Sequence, residues 1–77
     1  MQKLFDLFEE KIDVLSDSVD LLKEADDKCV YSMVKGAAFE EYSHLHIMYK
    51  YMKNNDIKIS DTLEKRYKLA EEKLMQL

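Results

Sequence analysis

Glu41 and His44 stand three residues apart in Ala37-Ala38-Phe39-Glu40-Glu41-Tyr42-Ser43-His44, a stretch without a helix breaker. On a helix, residues at this spacing occupy adjacent turns of one face, so a carboxylate and an imidazole are presented together. Those groups ligate first-row transition metals, or hydrogen-bond as a metal-free polar pair. At about 100° per residue, Glu41 falls near the middle of an apolar face made by Val30, Val34, Ala38, Leu45, Met48 and Met52. Met33, Ala37 and Tyr51 lie at its edge, and His44 lies close beside it. An ionised carboxylate turned toward a core is costly unless paired or coordinated, so Glu41 demands a partner. Lys11, near the centre of the apolar arc of the preceding helix, is the leading one. The expected result is a structural pair, Lys11 with Glu41, that fixes helix register more than it adds stability.

The alternative is a metal site. Glu41-Tyr42-Ser43-His44 is a Glu-x-x-His motif, and the segment from Ala38 to His44 resembles the second helix of ferritin-like di-iron proteins. In that family, two such motifs and two further glutamates from facing helices hold the metals. The resemblance covers about residues 5 to 50. It implies iron or manganese bound by Glu41, His44 and a helix 1 glutamate, Glu10 or Glu9, in a site completed across a symmetric dimer with ferroxidase-like activity. Two features depart from the family pattern: Glu9 and Glu10 fall outside the apolar arc of helix 1, and Lys11 lies near its centre. The opening Phe5-Asp6-Leu7-Phe8-Glu9-Glu10 is similar to a family of phosphate-regulatory helical domains over helix 1 only, and nothing is carried over from it.

Helices must position these groups, because the chain has one glycine, Gly36, and no proline. Phe5, Phe8, Ile12, Leu15, Val19 and Leu22 recur at three- and four-residue steps and predict helix 1 over about 2–25. Leu7, Val14 and Leu21 form a second row beside them, widening the arc beyond what one neighbour would cover. Asp26 or Asp27 is the expected N-cap of helix 2, about 28–53, with one continuous helix as the alternative. Asn54-Asn55-Asp56 ends helix 2. After an extended link, Asp61-Thr62-Leu63-Glu64 reads as a capping box, with Ser60 as the alternative cap, for helix 3 over about 61–76. Leu63, Tyr67, Ala70, Leu74 and Leu77 give that helix a narrow stripe, suited to one groove. The expected architecture is one all-α domain, a long antiparallel hairpin plus a shorter C-terminal helix, dimerised through helix 2.

Two further surfaces are candidates for binding. Phe39, Tyr42 and Tyr49, interleaved with Lys35, His46 and Lys50, have the aromatic and cationic composition of protein interfaces and are expected to meet a partner or second copy unless helix 3 covers them. Asp6, Glu9, Asp13, Asp17, Asp20 and Glu24 form an acidic row on helix 1, either a solvated face or a lure for a basic target. Cys29 is expected to pack at the helix 1/helix 2 corner as a small hydrophobe.

Charge and composition narrow the classes. The first 27 residues carry nine acids against three lysines, and the remainder seven acids against nine bases. An acidic first third argues against direct nucleic-acid binding. A lone cysteine offers no internal disulfide and points to a reducing compartment, expected to be cytoplasmic, or the host cytoplasm if the protein is viral. Charges break up the opening apolar residues, so neither a signal peptide nor a membrane span is expected. Eleven lysines against one arginine fit an AT-rich bacterial or phage genome. No phosphate loop, catalytic triad or long loop is apparent. The leading reading is a small non-enzymatic interaction module, a regulator, inhibitor or adaptor, whose partner is another protein.

Overall fold

The computed structural model describes residues 2–77 and has three helices: α1 (Gln2–Glu24), α2 (Lys28–Asn54) and α3 (Asp61–Met75). The chain breaks between the first two helices rather than running on. Asp27 adopts an extended backbone, and its carboxylate accepts hydrogen bonds from the amides of Cys29 (2.7 Å) and Val30 (3.3 Å). These are two of the amide groups that a new helix leaves without intrahelical acceptors. Three residues suffice to reverse the chain, so α2 returns antiparallel along α1.

At its far end, α2 closes with a Schellman arrangement. The Asp56 amide donates to the Lys53 carbonyl (3.3 Å), and the Ile57 amide donates to the Met52 carbonyl (2.9 Å). Asp56 takes the left-handed position, φ 55°, that glycine usually fills in this motif. The buried Ile59 anchors the short link that follows. Ser60, not Asp61, caps α3, with its hydroxyl accepting from the Leu63 amide at 3.2 Å. The capping assignment that started at Asp61 is therefore displaced by one residue, because Asp61 is already helical.

The core collects one stripe from each helix: Phe8, Ile12, Leu15, Val19 and Leu22 from α1, Ala38, Leu45 and Met52 from α2, and Tyr67, Ala70 and Leu74 from α3. The three buried residues of α2 are spaced seven apart, two helical turns, which lays one narrow line against its neighbours. The Tyr67 ring sits between Phe8 and Tyr49, with centroids 5.5 Å and 4.5 Å away, and it is nearly parallel to Tyr49. That three-ring stack holds α3 in one of the two grooves of the hairpin.

Two packing expectations are corrected. Cys29 is exposed rather than packed at the corner, since it lies in the first turn of α2 on the side turned away from the Ala38–Leu45–Met52 line. Val30, placed on the apolar face by the wheel, is 45% exposed. On the wheel it lies about 20° from Glu41, on the flank of α2 away from Tyr42 and Tyr49, and α3 packs on the Tyr42–Tyr49 flank, so it does not cover Val30. Among the described residues no helix is long and apolar enough to cross a membrane.

Candidate interaction surface

Lys11 and Glu41 meet across the α1–α2 interface, Nζ to Oε1 at 2.8 Å, with side chains 23% and 22% exposed. Antiparallel packing sets mid-α1 level with mid-α2, which brings the two within reach although thirty residues separate them in sequence. The pair is half-buried, so neither charge is stranded in an apolar core and water still reaches both.

The metal donors suggested by Glu-x-x-His are not brought together within the chain. Glu41 is committed to Lys11, Glu9 to Arg66, and Glu10 and His44 are both exposed. Among the described residues no three of His, Cys, Asp and Glu converge. Within one chain the residues present do not fit the di-iron ligand set.

α3 takes up much of the surface that the sequence left for a partner. The Tyr42 hydroxyl donates to Glu71 in a short hydrogen bond, and the Tyr49 hydroxyl donates to Glu64 at 2.6 Å. Lys53 joins Glu64 at 2.9 Å and lies over the Tyr49 ring, 5.4 Å from its centroid. Burial, followed by the Glu71 contact, raises the Tyr42 phenol above its ordinary value near 10. For Tyr49 the Glu64 hydrogen bond is the larger cause. The same cluster holds the Glu64 carboxyl below its ordinary value, through Lys53 first and Tyr49 second. Tyr67, buried behind them, is raised furthest, chiefly by burial.

Of the expected partner face, Phe39 (39% exposed), His46 and Lys50 remain on the surface, with His46 leaning on the Tyr42 ring at 5.9 Å. Lys35 lies 5.8 Å over the Tyr31 ring.

The acidic row of α1 divides in the same way. Arg66 reaches Glu9 at 2.6 Å and also bonds Asp13, and those two hydrogen bonds raise its pKa. Lys73 lies 3.6 Å from Asp20 and 3.2 Å from Ser16. Asp6 accepts from the Gln2 amide at 2.8 Å, and Asp17 and Glu24 are exposed. Arg66 and Lys73 were not singled out in the sequence. Their signal was a seven-residue spacing on α3 that matches the spacing from Asp13 to Asp20 on α1.

Among the described residues nothing covers the other groove of the hairpin. Leu7, Val14 and Leu21 on α1 are 45–50% exposed, Tyr51 on α2 is 52% exposed and Met33 is 74% exposed. On the helical wheel these residues lie beyond Lys11 and Glu41, on the side away from Arg66, Tyr42 and Tyr49, with Ala37 and His44 among them. They form two facing apolar rows with the ion pair between them near mid-length. No family model, curated protein or solved structure matches the chain.

Proposed function

We propose that the chain is a small, non-enzymatic protein–protein interaction module, a regulator, inhibitor or adaptor, that binds through the open α1–α2 face. One observation carries this reading: two full helices, each with a core-facing stripe, also expose a second apolar row on the same side. Scattered exposed apolar residues are ordinary, but contiguous ones of this extent mark interaction sites. The polar groups of the chain support the reading by their commitments. The carboxylates and phenols best placed for chemistry hold α3 in position, and the groove lined by Phe5, Lys58 and Leu63 is open to solvent and bordered by the Arg66–Glu9 pair.

The test compares affinity capture from native-host extract by the unaltered chain and by Val14→Glu, Met33→Glu and Phe39→Asp variants. A partner lost with the first two and kept with the third is the expected result. Capture that ignores Val14 and Met33 while depending on Phe39 would move the surface to the opposite side of α2. Chain purified without chelator is expected to hold no stoichiometric iron or manganese. Metal that is present in the unaltered chain and lost in Glu41→Ala would overturn the non-enzymatic reading as a complete account.

A further inference from the structure

We infer, resting on the reading of the open α1–α2 face as a binding surface, that its occupant is a cationic amphipathic helix of another protein, about four turns long, with lysines or arginines on the flank that meets α1.

The covered groove shows what such an occupant looks like. α3 lays Tyr67, Ala70 and Leu74 into the hairpin and sets Arg66 and Lys73, one heptad apart, on Glu9, Asp13 and Asp20 of α1. Around α1, Glu10 mirrors Glu9 and Asp17 mirrors Asp20, about 130° and about 150° to either side of the buried Leu15–Leu22 line. Glu10 and Asp17 are also one heptad apart. With Glu40 of α2 they are exposed and make no ion pair among the described residues. The acids on the α3 side have their cations from α3, and those on the open side lack them.

Shape calls for the same kind of occupant. Leu7, Val14 and Leu21 extend over about 21 Å of α1 beside Met33 and Tyr51 of α2, with Ile47, 66% exposed, at the outer edge. α3 fills its groove with 15 residues, and a helix of that length covers this one with apolar residues at three- and four-residue steps. Lys11 and Glu41 lie in the floor near mid-length. An occupant displaces water from both charges, so a Gln, Asn, Ser or Thr above the pair restores hydrogen bonds and sets the register.

Charge separates this occupant from the others. On the wheel Glu10 and Asp17 lie about 40° beyond Val14 and Leu21, and Glu40 about 20° beyond Met33, so acids line both rims. Lys3, at one end, is the one cation there among the described residues, and Lys28, Lys35, Lys50 and Lys53 lie on the other side of α2. A second copy would set this acidic rim on an identical one, and nucleic-acid or lipid phosphates would meet the same repulsion.

Two labelled synthetic helical peptides of about four turns test the proposal against the full chain by fluorescence anisotropy. Both carry leucines at three- and four-residue steps, a central glutamine and alanines elsewhere; one has lysines on its flanks and the other glutamates. The lysine peptide is expected to bind with a Kd of about 10 μM, and the glutamate peptide at least about tenfold more weakly at low salt. Glu10→Lys combined with Asp17→Lys should reverse that preference, and Val14→Gln combined with Met33→Gln should weaken the lysine peptide about tenfold, with helical circular dichroism unchanged. Glu72→Lys, the same charge change on the outer face of α3, and Phe39→Gln should each leave binding within about twofold. Equal affinity for the two peptides, or no response to the Glu10 and Asp17 reversals, would overturn the cationic chemistry. Binding indifferent to Val14 and Met33 would overturn the groove. A chain that instead dimerises in sedimentation equilibrium, and loses the dimer with Val14→Gln, would make the occupant a second copy and overturn the proposal. Failure of the lysine peptide while host-partner capture still depends on Val14 and Met33 would overturn the cationic helix and leave the interaction-module reading standing.

Discussion

On one side of the α1–α2 hairpin, Glu9, Asp13, Asp20, Tyr42 and Tyr49 all reach groups on α3; on the other, Leu7, Val14, Leu21, Met33 and Tyr51 stay exposed. The covered side is rich in polar groups at its margins and the open side is apolar. Within one chain α3 is tied on by ion pairs and phenol–carboxylate bonds around a thin apolar line. That arrangement suits a short helix of narrow stripe, because specific polar contacts fix its position where apolar area alone would let it slide. Among the described residues the open side has no such contact other than Lys11–Glu41, and it has the wider exposed apolar surface. A surface of that kind gains from any complementary partner, whereas the covered side accepts only α3.

The largest difference between the two sides should appear in neighbouring residues of α1. Leu15 is fully buried and Val14 is 45% exposed. Leu15→Ala is expected to lose about 2–5 kcal/mol of stability, through lost burial and the cavity left behind. Val14→Ala is expected to lose no more than about 0.5 kcal/mol in dilute monomer. Urea unfolding of both variants measures the contrast, and similar losses would mean that the open side is not open in solution.

Next in size is the pair that separates the sides. Lys11→Ala leaves the Glu41 carboxylate half-buried without its cation and is expected to cost about 1–3 kcal/mol. Glu41→Gln, which keeps a hydrogen-bond acceptor for Lys11 and strands no carboxylate, is expected to cost less than half of that by the same measurement. Equal losses of melting temperature would show that the pair contributes only through side-chain packing.

The α3 side has a pH signature that the open side lacks. Tyr42, Tyr49 and Tyr67 are raised above the ordinary phenol value in the folded state. A group raised on folding contributes stability that is fully present below its unfolded value, near 10, and lost as pH rises through the folded value. Thermal melts should therefore fall as pH passes about 10. Tyr49→Phe removes its hydrogen bond at a cost of about 1 kcal/mol at neutral pH and should flatten part of the alkaline loss. Glu64 acts in the opposite direction: its lowered pKa gives a contribution present above the ordinary carboxyl value and lost as pH falls through the folded one. An alkaline melt profile unchanged by Tyr49→Phe would take that phenol out of the account.

The smallest effect touches neither side. Asp56→Gly relieves a left-handed conformation at the α2 C-terminus and is expected to stabilise by about 0.5–1 kcal/mol, read as a small rise in urea midpoint.

Much of this was legible in the residues. The apolar recurrence from Phe5 to Leu22 marked out α1, and Asp26 or Asp27 was the expected cap of α2 with one continuous helix as the alternative, which the structure decides for Asp27. The wheel position of Glu41 required a partner, and Lys11 was the cation facing it, because a charge on an apolar face leaves few solutions. The width of the α1 arc, with Leu7, Val14 and Leu21 beyond the main seam, already implied more neighbours than one helix. The residues did not reveal which row each neighbour would take. Tyr42 and Tyr49 read as partner-seeking until α3 met them. Glu9, Asp13 and Asp20 read as one acidic face until Arg66 and Lys73 drew them together, and Cys29 read as buried until the helix start turned it outward. Periodicity measures how much of a helix is apolar and at what angle, and this the sequence determined locally. Which of two grooves a third helix enters depends on the sum of contacts made over more than fifty residues of chain, and only the tertiary structure decided it.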